Sequence, residues 1–218
     1  LGAPSWALVV FAIGTSFSTY FCMYAFRKPF AAGGFEGLWL LGTQVELKTA
    51  FVISQVIGYA LSKYLGIKFC SEMTRGRRLS MLIGLVVVAE IALLLFAVLP
   101  PQLKIFALFA NGLPLGMVWG LVVWYLEGRR TSELLLAGLS CSFILASGVV
   151  KDIGRWLMGE HGVSEFWMPF ATGLIFLLPF VISALLLDQL PDPDDDDEAE
   201  RTHREPMDGA HRISFLKR

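Results

Sequence analysis

Residues 79–99 read LSMLIGLVVVAEIALLLFAVL, an unbroken apolar run in which Glu90 is the only charged group. A helix needs about 20 apolar residues to cross the hydrocarbon core of a bilayer, and this run is long enough. It also lacks the period-two alternation of a half-buried strand. Backbone groups in lipid must find their hydrogen bonds within a helix or a closed barrel. The run is therefore read as a membrane-spanning helix.

Five more runs meet or approach that length: Trp6–Phe26, Thr49–Phe69, Lys104–Leu126, Leu134–Val150 and Phe166–Leu187. The shortest, Leu134–Val150, is expected to continue through Lys151–Met158. The segments between runs are too short for a soluble domain. The expected fold is all-α: a polytopic membrane protein, with a six-transmembrane-helix bundle over residues 1–187 and a polar tail over residues 188–218.

Composition agrees. The chain has 218 residues, 55% hydrophobic and 17% charged, against about 25% charged in soluble domains. The net charge of −1 divides unevenly. Residues 1–187 hold 13 Lys and Arg against 9 Asp and Glu, and residues 188–218 hold 5 against 10. A slightly basic membrane body carries an acidic tail. This excludes a secreted disulfide scaffold, and a nucleic-acid binder, which needs a basic surface patch. Cys22, Cys70 and Cys141 lie in or beside apolar runs at wide spacing and are expected to be buried thiols. The chain opens on Leu1 rather than Met, which reads as a fragment, and no signal peptide is recognised.

Basic residues set the orientation. Lys68, Arg75, Arg77 and Arg78 follow the second span, and Arg129 and Arg130 follow the fourth. Lys28, Lys48, Lys104, Lys151 and Arg155 lie singly on the other side. The Arg clusters place both ends in the cytoplasm. In the tail, Pro191 and Pro193 stop the sixth helix, and the run Asp194–Asp197 repels itself and stays solvated as a disordered linker. An acidic patch that binds a metal or a partner is the other reading. The segment Arg212–Arg218 turns basic and apolar, like an interfacial stretch before another membrane helix.

Charged groups inside spans are costly and mark cavities or pathways. Tyr20, Tyr24 and Arg27 are spaced i, i+4, i+7, on one helical face. A guanidinium flanked by phenol hydroxyls suits an oxyanion, because Arg presents a planar fork of donors. The alternative is that Arg27 and Lys28 end the helix and snorkel to the headgroups. Gln55, Tyr59 and Lys63 form a second polar stripe, and Lys63 too has the choice of snorkelling. Together the stripes suggest a cationic, tyrosine-lined cavity. Glu90 has three readings: a proton-coupling carboxylate, a charge partner of Lys63, or a protonated acid bonded to a neighbouring helix. Lys151, Asp152 and Arg155 read as a local ion-pair cluster. Gly112, Gly116 and Gly120 make a smooth strip for close helix packing, and Pro114 permits bending. No enzymatic constellation is present: His161, His203 and His211 lie outside the spans, and there is no P-loop. Neither an enzyme nor a cofactor is expected.

The segments Tyr20–Phe30 (YFCMYAFRKPF) and Gly58–Gly66 (GYALSKYLG) resemble the organophosphate:phosphate antiporters of the major facilitator superfamily. Tyr20, Tyr24, Arg27, Lys28 and Phe30 match the family's first helix, and Tyr59 and Lys63 its second. The resemblance implies that Arg27 binds substrate phosphate, with the three tyrosines and Lys63 lining the site. The segment Cys70–Arg78 is similar to the superfamily's cytoplasmic loop, with Glu72 as the acid and Arg77 or Arg78 as the distal base. Gly116–Arg130 also resembles the family. The antiporters' helix-five histidine is missing, and Cys141 and Ser142 lie near its place.

The resemblance further implies half of a twelve-helix fold, with access alternating by rocking of two six-helix bundles. The expectation is then the N-terminal half of a secondary transporter for a small anionic, including phosphorylated, solute. It would sit in the bacterial inner membrane, its partners being the lipid bilayer, the solute and a missing C-terminal half. The alternative is a transporter-like sensor that binds its ligand without moving it. An intramembrane enzyme has only Glu90 to work with.

Overall fold

The computed structural model describes residues 5–71 and 75–193. Among these residues six α-helices succeed one another: α1 (Ser5–Met23), α2 (Leu47–Ser71), α3 (Arg75–Val98), α4 (Lys104–Leu126), α5 (Ser132–His161) and α6 (Met168–Asp188). Short 3-10 turns follow α1 at Tyr24–Phe26 and Pro29–Ala32, and another precedes α4 at Pro101–Leu103. Among the described residues there is no strand, only an isolated bridge between Trp39 and Glu46. The sequence runs thus become helices. The fifth run extends as expected, through Lys151–Met158 to His161. The sixth ends at Asp188, just ahead of Pro191.

Five segments among the described residues are long and apolar enough to cross a membrane: Trp6–Phe26, Gly76–Val98, Pro101–Leu126, Ser132–His161 and Met168–Asp188. The second expected span is helical as α2 but is not among those five. Ser54, Gln55, Tyr59, Ser62 and Lys63 set polar groups along its otherwise apolar length. The outer surface of the bundle is apolar. Val52, Ile53, Val56 and Ile57 on α2, Val87, Val88 and Ile91 on α3, and Leu174, Ile175 and Leu178 on α6 are all exposed. So broad an apolar exterior belongs in lipid rather than water.

Packing follows the small residues. α2 lies along α4, where Gly58 faces the Phe109 carbonyl and Gly112 the Gln55 carbonyl. A Cβ at Gly116 would stand 2.6 Å from the Tyr59 carbonyl oxygen, so these helices touch backbone to backbone. α3 packs on α4 and α6, and α1 on α5 and α6. Where α1 is buried, Thr15, Ser16 and Thr19 donate their hydroxyls back to carbonyls one turn earlier, at 2.8, 2.6 and 2.8 Å. This lets polar residues enter a dry contact with no unsatisfied donor.

Each end of the bundle is tied. At the end carrying residues 27–46, Phe35 has φ +53 and is held there by two contacts. Its amide donates to Glu165 Oε2 at 2.7 Å, and its ring joins Phe51, Phe96 and Phe166 with centroids 5.2–5.9 Å apart. Lys104, expected as a lone outer charge, is buried: its Nζ donates to the Phe96 and Ala97 carbonyls that end α3. At the opposite end, Tyr125 donates to Asp188 Oδ1 at 2.7 Å, and Arg129 donates to the Pro191 carbonyl. Arg78 stacks on Trp124 with its Cζ 3.8 Å from the ring centroid.

The expectation that all three thiols are buried fails at Cys141. Cys22 is buried but Cys141 is exposed, because its apolar stretch turns this face of α5 outward, as it does Ile144 and Leu145. Cys70 falls outside the described side chains, and Glu72, Asp194–Asp197 and Arg212–Arg218 outside the described residues.

Candidate functional site

The site begins where α1 gives up its α-helical register. After Met23 the chain tightens into the 3-10 turn, and the Tyr24 carbonyl accepts from both Arg27 N (3.1 Å) and Lys28 N (2.9 Å). Unwinding inside an apolar bundle leaves carbonyls that need donors. Two side chains supply them. Gln55 Nε2 donates to the Arg27 carbonyl at 3.0 Å, and Asn111 Nδ2 to the Phe26 carbonyl at 3.0 Å. Gln55 also donates to Asn111 Oδ1 at 2.7 Å, and Asn111 to the Ala89 carbonyl of α3 at 3.0 Å. Asn111 is wholly buried. It joins α3, α4 and the end of α1 directly, and α2 through Gln55. Sequence reading missed it, because a lone amide among Ala110 and Gly112 carries no periodic signal.

On this frame the expected residues converge. The Tyr20 and Tyr24 rings meet edge-to-face with centroids 5.6 Å apart, and the Tyr20 and Tyr59 hydroxyl oxygens lie 3.4 Å apart. Arg27 Cζ sits 3.8 Å from the Tyr59 ring centroid and 5.9 Å from that of Tyr24. Lys63 Nζ is 5.1 Å from the same Tyr59 ring. One phenol thus carries two cations. Tyr20 and Tyr24 are buried, Arg27 and Tyr59 half-buried, and Lys63 exposed. Arg27 Nε is buried with no hydrogen-bond partner, and among the described residues no carboxylate pairs with the guanidinium. A further wall, unread in the sequence, is Trp119 of α4, edge-on to Tyr20 at 4.9 Å.

Lys28 lies just past the span. Burial first, then the charges of Arg27 and Lys151, hold its amine below the ordinary lysine range. Arg27, Lys28 and Lys151 thus lie near enough to one another to repel where α1 ends. The expected cluster on α5 is present as an exposed pair, Arg155 Nη1 to Asp152 Oδ1 at 2.6 Å. Such an exposed pair adds little to stability.

Glu90 does not join Lys63. Its carboxyl is buried at 6% exposure on the face of α3 that meets α6, and neither oxygen has a hydrogen-bond partner. Both the pairing with Lys63 and a bond to a neighbouring helix are overturned by this geometry. The carboxyl instead lies against Gly173, where a Cβ would collide with Oε2.

A chain whose described residues form a helical bundle, with several lipid-length helices and an apolar exterior, is a multi-pass membrane protein. Residues 29–218 match the family of unknown function DUF5690, and the chain belongs to that family. No curated protein and no solved structure matches it.

Proposed function

We propose that this chain is the N-terminal six-helix half of a secondary transporter of the major facilitator type, working by alternating access on a small anionic solute, phosphorylated ones included. One observation carries the reading: the Arg27 guanidinium and the Lys63 ammonium share the Tyr59 ring, and no carboxylate among the described residues neutralises Arg27. A half-buried cation without a counter-ion is poorly compensated, and an oxyanion supplies the missing charge through bidentate hydrogen bonds. Arg27 binds the anionic head, Tyr20, Tyr24 and Tyr59 offer hydroxyls, and Lys63 adds positive potential. On this reading α2 is a sixth span whose polar stripe faces the cavity, and a second bundle closes the site from the other side. Arg77, Arg78, Arg129 and Arg130 share the end that holds the tail, and on this reading that end is the cytoplasmic one, in a bacterial inner membrane.

The test is uptake and binding of inorganic phosphate and of a small phosphate monoester by the protein, with Arg27→Ala, Arg27→Lys and Lys63→Gln variants. Arg27→Ala is expected to lower apparent affinity about 30-fold or more, the usual size for removing one partner of a buried charge contact. Arg27→Lys is expected to fail as well, because an ammonium cannot reproduce the planar fork. Wild-type uptake with unchanged affinity in both Arg27 variants would sink the proposal. Binding without flux selects a sensor.

A further inference from the structure

Glu90 is the group the anion site leaves unused. It sits midway along α3, more than nine-tenths buried, with both carboxyl oxygens lacking a hydrogen-bond partner. Its seat is built for it, since Gly173 of α6 leaves the space that any side chain would fill. The elements packed on α3 are α4, α6 and the turn Tyr24–Phe26, and their titratable groups are all engaged elsewhere. Lys104 of α4 is spent on the Phe96 and Ala97 carbonyls, and Tyr125 of α4 and Asp188 of α6 are bonded to each other. Tyr24 stacks on Tyr20 and flanks Arg27. Asn111 of α4 gives its amide to the Ala89 carbonyl, not to the carboxyl. An ionised carboxylate in such a place would be an uncompensated charge in an apolar contact, whereas the acid is neutral. Ionisable groups kept at this depth mark proton paths.

We propose that Glu90 is a proton-binding site set in the α3–α6 contact: the carboxyl holds its proton while packed on Gly173 and releases it when α6 moves off and water enters. In the release step the O–H bond breaks, its electron pair stays on the carboxylate, and water takes the proton. Asn111 connects this site to the cation site, since one amide bonds the carbonyls of Phe26, beside Arg27, and Ala89, beside Glu90. Proton binding itself does not depend on the anion reading.

Infrared spectroscopy of the full chain in lipid nanodiscs tests it. At neutral pH exposed carboxylates are ionised, so a carboxylic-acid carbonyl band reports a protected proton. The wild-type protein is expected to show that band, and Glu90→Gln, which is neutral and isosteric, to lose it. Arg27→Ala is expected to keep it, which separates this proposal from the anion reading. Gly173→Ala, which invades the seat, is expected to shift the band or abolish it. In D2O the wild-type band is expected to shift as the proton exchanges. Absence of an acid band in the wild type overturns the proposal without any variant. A band that never shifts in D2O marks a sealed structural acid and overturns it too.

Discussion

Asn111 shows how much one amide can decide. Its carboxamide bonds two carbonyls and receives Gln55, so an apolar replacement strands several buried groups together. Asn111→Leu is expected to cost about 1–3 kcal/mol, the penalty for buried groups left unbonded, read as a lower unfolding midpoint in mild detergent. Gln55→Leu should cost less, because Asn111 keeps its two carbonyl contacts. Lys28 makes a different prediction. Its folded-state value lies below the ordinary one, burial being the first cause. The unfolded chain therefore binds more protons, and stability rises with pH between the folded and unfolded values. Below the folded value the cost of the charge is fully present. Lys28→Gln is expected to raise the melting temperature at neutral pH and to flatten its climb toward alkaline pH. Thermal melts across that range check both, and an unchanged slope would remove Lys28 as the source.

Among elements, the α2–α4 pair is the tightest and the most sensitive to small volumes. Ala is a better helix former than Gly by about 1 kcal/mol, yet the sign of a substitution depends on where the methyl lands. At Gly148 nothing lies within 4 Å, so Gly148→Ala is expected to stabilise α5. At Gly112 the methyl meets the Gln55 carbonyl and the Tyr59 amide, and Gly112→Ala is expected to destabilise by about 1–3 kcal/mol through overpacking. Equal shifts for the two variants in one melt series would contradict this account. The spacing of Gly112 and Gly116 was legible in the sequence, as were the helices themselves, because apolar runs of bilayer length have few alternatives. The stripe of Tyr20, Tyr24 and Arg27 and the stripe of Gln55, Tyr59 and Lys63 were each legible by period, while their meeting was only suggested by the pairing of tyrosine and cation on both. What lay beyond reach has a common cause. The α1 break, the Lys104 cap, the seat of Glu90 on Gly173 and the outward face of Cys141 all depend on which helix lies opposite, and one-dimensional spacing does not contain that.

For the molecule as a whole, the two ends are secured differently. The end with Phe35 and Glu165 is sealed by an aromatic cluster. The other is latched by Tyr125 on Asp188 and by Arg129 on the Pro191 carbonyl, so the start of the tail is bound to the α4–α5 connection. Tyr125→Phe removes one hydrogen bond from this latch at little cost in volume. It is expected to speed amide hydrogen exchange in residues 186–191 while leaving the Phe35 end unchanged, as mass spectrometry of peptides from both ends would show. Uniform exchange in both would mean that packing around Leu190, which is fully buried, holds the tail without the latch.

The tightened turn after Met23 also amounts to a small screw. A 3-10 turn advances about 120° and 2.0 Å per residue, an α-helix about 100° and 1.5 Å. Rewinding Tyr24–Phe26 into α1 would therefore swing Arg27 by roughly 60° about the helix axis and draw it back about 1.5 Å. The guanidinium would then shift relative to the Tyr59 ring that it now covers.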